Sequence, residues 1–298
     1  MAILSFIPAW AILALLAALC SAILPLVQER VKVDGLALAY MVKLVTVFVT
    51  LPLMLANGLP DSWAFYLLLA LSSGMYCVSD AIYFRAVVTE GAGIVARLLP
   101  VAVIGTFFLW FLVDPSLIGS YLARPLVSCA ILAVISAAAF FAVRLKKCPV
   151  TTRAARAIWF LLVAATVGPV MSKMIFATTP AKVALPAYLC LQSVMMVGFW
   201  TLHGLARGHG PQLKARLLDR RVIVAGIVTG LISAAMIALK NYAYTLTDNP
   251  AYPNVLYFTD SVWILLIYKA MGRRSDGDIR AGLGMVACAA ALVILKAL

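Results

Sequence analysis

Charge is what this chain has least of. Only 12% of its 298 residues are Asp, Glu, Lys or Arg, and just 11 are acidic against 24 basic. Soluble domains are about 25% charged. With 65% hydrophobic residues and a mean hydropathy of +1.06, a water-exposed globular domain is excluded. Histidine occurs twice, at His203 and His209, with no carboxylate close by in sequence, which is a poor donor set for a metal ion. The six cysteines form no C-x-x-C and fall mostly inside apolar runs. They read as small buried hydrophobes and imply no disulfide framework. There is no G-x-x-x-x-G-K-[ST] phosphate loop, which argues against ATP-driven work by this chain alone. A cluster of His, Asp, Glu or Cys near one interface, as a lipid-modifying enzyme needs, is missing as well. No catalytic residue, cofactor or metal is expected. The net charge of +13 would suggest nucleic acid on a soluble protein, but here it is concentrated in short loops, where it sets membrane orientation.

What the chain has in abundance is long apolar runs. A spanning helix needs about 20 mainly apolar residues, and breaks fall where Gly, Pro and charges cluster. Ten candidate spans result: 4–27, 35–56, 63–87, 93–113, 123–144, 155–177, 184–206, 221–244, 253–271 and 279–297. The first lacks a basic n-region and outruns a signal peptide's apolar core, so it is expected to be a retained helix. Connections are short except for two polar segments, 144–156 and 207–221. The expectation is an all-α membrane protein of ten transmembrane helices, with no room for a soluble domain.

Ten spans divide at Cys148 into halves of five, 1–147 and 148–298. At a single offset Tyr83 falls on Tyr242, Ala92 on Ala251, and Val127, Cys129, Ala130, Val134 and Ile135 on Val286, Cys288, Ala289, Val293 and Ile294. Trp10 and Trp159 stand near the starts of spans 1 and 6. An odd number of spans per half inverts one half relative to the other, which is the inverted-repeat plan of many secondary transporters.

The most informative stretch is Leu239–Trp263, LKNYAYTLTDNPAYPNVLYFTDSVW. It sets Lys240, a polar turn from Asn249 to Asn254, and Asp260 between two apolar runs. A charge in a bilayer costs about 2.5–3.5 kcal/mol on insertion scales, so such residues mark functional sites and face the bundle interior. The other embedded cations are Lys43, Arg97 and Lys173, and the other embedded acid is Asp80, with Glu90 at the turn between spans 3 and 4. Four cations against two or three acids give a net-positive interior that favours an anionic solute. Each has a plainer reading. Lys43 and Arg97 can snorkel to an interface, and Lys240 with Asp80 can form a structural ion pair between the halves. Lys173 follows Gly168-Pro169, where span 6 can kink or unwind. Asp260 is a candidate proton carrier. Tyr83, Tyr242, Tyr244, Tyr257, Trp10 and Trp159 are candidate cavity-lining aromatics. Gly226-xxx-Gly230 reads as a close helix approach.

Total length, the five-plus-five split, Trp10 and Trp159, the Asn249-Pro250-Ala251-Tyr252 turn and the ending GRRSDGDIRAGLGMVACAAALVILKAL together resemble the drug/metabolite transporter superfamily, in particular its ten-helix EamA-like members. The resemblance implies two inverted five-helix repeats in the cytoplasmic (inner) membrane of a bacterium. It also implies a secondary transporter, not an enzyme, moving a small polar metabolite by alternating access, which the net-positive interior predicts to be anionic. The site expected for it comprises Lys173, Lys240 and Asp260, with Asp80, Arg97, Lys43, Tyr83, Tyr242, Trp10 and Trp159. Membrane lipids are the other expected partner, and no nucleic acid is expected. A flippase for a lipid-linked sugar or phosphate is the alternative, and a membrane-embedded lipid enzyme a third. Where the family often places an acidic residue after the penultimate helix of a repeat, this chain has Lys269 and, in the first half, Trp110. By the positive-inside rule the odd-numbered loops, with most of the Lys and Arg, face the cytoplasm. The resemblance implies the reverse, with cytoplasmic termini.

Overall fold

The computed structural model of the chain describes residues 7–90, 98–145, 152–208, 210–272 and 277–297. Among these are thirteen α-helices and no strand. The long ones are α1 (Ala9–Val31), α2 (Gly35–Asn57), α3 (Trp63–Glu90), α6 (Pro125–Arg144), α7 (Thr152–Ala177), α8 (Ala181–Ala206), α10 (Arg220–Thr245) and α13 (Ile279–Ala297). All eight hold a stretch long and apolar enough to cross a membrane, so this is a multi-pass membrane protein. The shorter helices are α4 (Ala102–Val113), entered through a 3₁₀ turn at Leu99–Val101, then α5 (Ser116–Ala123), α9 (Gly210–Leu217), α11 (Ala251–Tyr257) and α12 (Asp260–Ala270).

Local chemistry sets these boundaries. Asp34 and Asp219 precede α2 and α10, and their carboxylates accept from the free amides of Ala37 and Arg221, which removes exposed donors at each helix start. Inside the spans, hydroxyls turn back onto their own helix. Thr46 donates to the Val42 carbonyl, Thr50 to Thr46 and Thr229 to Ala225. That lets a polar side chain sit in an apolar medium with its hydrogen-bonding met.

Sequence expectations fail at several boundaries. Segment 116–123 is helical and lies at 115° to the one before it, and 210–217 is helical within the basic loop. The polar turn starting at Asn249 gives way to helix by Ala251, because Pro250 and Pro253 occupy positions whose amide would be unbonded in a first helical turn. Span 9 is interrupted at Phe258-Thr259, where Phe258 (φ −74°, ψ 2°) leaves the helical basin and a new helix starts at Asp260. Conversely, α7 runs unbroken through Gly168-Pro169.

The packing order interleaves the chain. Helix α1 packs on α10 and on α11–α12, α3 packs on α7, and α7 packs on α4. Helix α2 meets both α8 and α10, α3 meets α8, and α6 pairs with α13. Helices α2 and α10 approach closely. A Cβ on Gly226 would lie 2.5 Å from that of Met41, and one on Gly230 2.6 Å from that of Val45, so only glycine permits this contact. Segment α11–α12 runs alongside α1, since Tyr257 and Asp260 meet Ser21 while Tyr268 donates to Glu29. It therefore passes from the end where α10 finishes to the end where α1 finishes. The latter carries Arg30, Lys32, Arg207, Lys214, Arg216 and Arg220 at helix ends, in connections and on α9 and is termed the basic end; the other is the opposite end.

Candidate functional site

A cavity of about 190 Å³ lies in the middle of the bundle, walled by α1, α2, α3, α7, α8, α10, α11 and α12. It takes the second half of α1 (Ser21, Leu24, Pro25), the first part of α2 (Val42, Lys43) and the second half of α3 (Ser79, Asp80, Tyr83). It also takes the first part of α8 (Tyr188, Gln192) and the second half of α10 (Ser233, Lys240, Asn241), so it spans the middle of the bundle. Beyond it, toward the opposite end, Tyr244 and Tyr252 are fully buried and close the bundle.

Among the described residues four charged side chains line it: Lys43, Asp80, Lys240 and Asp260. Lys43 of α2 and Asp80 of α3 form an ion pair of 3.0 Å, with the lysine side chain only 6% exposed. Asp260 is the first residue of α12, where the free amides of a helix start favour a carboxylate. Ser21 of α1 donates to its Oδ2 at 2.8 Å and lies 3.0 Å from the Tyr257 hydroxyl. Its other oxygen, Oδ1, is buried without a partner. Lys240 of α10 stands with Nζ 4.8 Å from the centre of the Tyr257 ring, in the combined field of Asp80, Lys43 and Asp260. No hydrogen bond or ion pair within 4 Å reaches its ammonium among the described residues. Among the described residues, both amide atoms of Asn241, next to it, and the Nδ2 of Asn254 have no partner within normal hydrogen-bond geometry. Buried polar groups are nearly always hydrogen-bonded. A group of unmet donors and acceptors facing one cavity is the arrangement of a site for a polar ligand or ordered water.

Six of the residues expected from sequence thus meet at one cavity: Lys43, Asp80, Tyr83, Lys240, Tyr257 and Asp260. The others lie elsewhere. Lys173 donates to the carbonyls of Tyr244, at 3.1 Å, and Thr247, and stacks over the Trp110 ring. It does not line the cavity, and no break in α7 accompanies it. Trp10 is buried in an apolar cluster with Val103, Phe107 and Tyr252. Trp159 and Tyr242 are 61% and 44% exposed on the outside of the bundle, because neither helix turns that face inward. Arg97 lies outside the described residues. Lys43 does not snorkel, and the partner of Asp80 is Lys43, not Lys240. The expected surplus of positive charge is also absent from the lining, where two lysines face two aspartates among the described residues.

Sequence reasoning missed the neutral groups: Ser21, Tyr76, Ser172, Tyr188, Gln192, Asn241 and Asn254. Tyr188 receives a hydrogen bond from Gln192 at 3.0 Å and lies 3.4 Å from Ser172. An amide inside an apolar run, such as Gln192 or Asn241, was a usable signal. A lone serine such as Ser21 was not, since helical hydroxyls commonly bond their own backbone.

No family model matches the chain, and no curated protein does. Among solved structures, the fold is similar to that of a protein known from a crystal structure. The TM-score is 0.63 at 17% identity, over 98% of this chain and 99% of the other. At that identity the likeness speaks for the fold alone.

Proposed function

We propose that this chain is a secondary transporter of the drug/metabolite transporter type, which moves a small polar solute carrying an anionic group by alternating access and performs no covalent chemistry. The observation that carries the reading is the central cavity with its unmet polar groups. Lys240, Asn241, Asn254 and Asp260 line it, and among the described residues the Asn241 amide, Asn254 Nδ2 and Asp260 Oδ1 have no hydrogen-bond partner for a polar solute to displace. Lys240 is the anion contact, since Lys43 is already neutralised by Asp80. Asp260 and the asparagines take the solute's hydrogen-bond donors and acceptors.

The packing order supports ten spans in two inverted repeats, 1–147 and 148–298. If α1, α2, α3, α4 and α6 are matched in order with α7, α8, α10, α11–α12 and α13, the contacts exchange with one another. The α1–α10 pair becomes α7–α3, α2–α10 becomes α8–α3, and α1 on α11–α12 becomes α7 on α4. The α2–α8 and α6–α13 pairs map onto themselves. A two-fold relation between halves has these properties, and it places the cavity at the interface of the repeats, where such transporters bind.

Thermal stabilisation of the purified protein tests the reading, with a panel of organic acids, sugar phosphates, amino acids, nucleosides, amines and lipid phosphates. A soluble anion that stabilises the wild type and not Lys240→Ala is the expected result. Stabilisation by amines or neutral compounds alone, unchanged in Lys240→Ala, overturns it. A response to lipid phosphates alone transfers the site to a lipid-linked cargo.

A further inference from the structure

The connection between α10 and α11, Leu246–Pro250, is only in part a surface loop: Leu246 and Asp248 are exposed, and the other three residues are buried. Connecting segments normally run over the outside, because buried backbone leaves polar groups unmet. Here Thr247 is 8% exposed and Asn249 is fully buried. Three helices that have no covalent link to the segment hold it in place. From α7, Lys173 donates to the carbonyls of Tyr244 and Thr247. Asn249 Nδ2 donates to the Phe107 carbonyl of α4 at 3.3 Å. From α13, Lys296 pairs with Asp248 at 2.9 Å and lies over the Tyr252 ring.

Resting on the carrier reading, we propose that Leu246–Pro250 is the gate that seals the cavity at the opposite end, with Lys173 as its latch. The segment lies between the cavity and that end, directly over the buried pair Tyr244 and Tyr252. A lysine with its protons on the last carbonyls of a helix holds that helix end by a few directed bonds, which can be exchanged for water in one step. Nearby, Trp110 Nε1 and the hydroxyls of Tyr121 and Tyr252 are buried without partners. These three groups gain water only when the segment lifts, so the closed arrangement is opposed from within, as a two-state element requires.

The gate is also wired to the cavity. The Tyr244 hydroxyl donates to Asn254 Oδ1 at 2.5 Å, and Asn254 lines the cavity with its Nδ2 free. A solute that engages Asn254 therefore acts on the residue whose carbonyl Lys173 holds. Filling the site and releasing the latch share one side chain.

The test is the accessibility of Ser233→Cys, a cavity position on α10. It is made in a background free of the six native cysteines and reconstituted in liposomes, with a membrane-impermeant maleimide supplied from either side. With Lys173 intact, labelling is expected from the basic end. In Lys173→Met, labelling from the opposite end is expected to rise about tenfold, as the open population grows, and Lys173→Arg is expected to keep protection. Should Lys173→Met fail to fold, Asn249→Ala and Lys296→Met remove the other tethers singly, each with a smaller rise expected. Opposite-end labelling at the wild-type rate in every folded variant overturns the gate. The carrier reading fails separately: no solute of the panel then slows Ser233→Cys labelling in the wild type, whatever Lys173→Met does.

Discussion

Lys240 and Lys173 look alike in sequence, each a lone cation in a long apolar run, and each lies close to an aromatic ring, Tyr257 or Trp110. Their surroundings separate them. Lys173 has its protons on two backbone carbonyls and closes one end of the bundle. Among the described residues Lys240 has no such acceptor, and it lines the cavity. Embedment alone is therefore a poor guide to role. A buried cation whose hydrogen bonds are met holds structure together, and one whose bonds are unmet is available to a ligand.

The largest effect extends that rule to a third lysine. Lys43 is met by Asp80, so Asp80→Ala, which strands a buried charge, is expected to cost about 3–5 kcal/mol of stability. The double variant Lys43→Met, Asp80→Leu recovers most of it, as read by thermal unfolding in detergent. Equal losses in the single and double variants would make Lys43 a ligand contact like Lys240.

Next comes the solute itself. Lys240→Ala removes a charge-assisted hydrogen bond of about 1.5–3 kcal/mol, so affinity for a stabilising anion falls about ten- to a hundredfold. Lys173→Ala, more distant, leaves the affinity within about threefold. An equal loss in both breaks the distinction between the lysines.

A smaller change is expected at the helix contact that carries Lys240. Gly230→Val would drive side-chain carbons against Val45, an overpacking cost of about 1–3 kcal/mol, seen as a lower melting temperature. At the small end, Trp159→Ala and Tyr242→Phe alter exposed side chains and shift stability by no more than about 0.5 kcal/mol, with solute affinity unchanged. A loss of affinity in either would return these aromatics to the site.

The fold class was legible because hydrocarbon runs of membrane length have one reading in an all-helical chain, and Lys43, Asp80, Lys240 and Asp260 were legible because charge is rare there. Direction was not. Tyr83 and Tyr242 occupy matching places in the two halves, yet only Tyr83 lines the cavity. Which face of a helix turns inward depends on tertiary packing when both faces are apolar, and the sequence periodicity of such helices carries little of it. The break at Phe258-Thr259 was hidden for a related reason, since neither Gly nor Pro marks it and its geometry follows from the packing of α11 and α12 on α1.

The interleaved packing also bears on how the chain is made. Ser21 waits for Asp260, 239 positions later, and α1 acquires its neighbour α10 only after most of the chain has been synthesised. A half-finished chain must still rest in lipid with its ionisable groups embedded. The charges are distributed so that it can: Lys43 and Asp80 both belong to the first half and neutralise each other there, while Lys240 and Asp260 arrive together in the second. Among the described residues each half thus supplies one lysine and one aspartate to the charges that line the cavity, so neither half relies on the other to balance that set, and the order of synthesis and the needs of the finished cavity do not conflict.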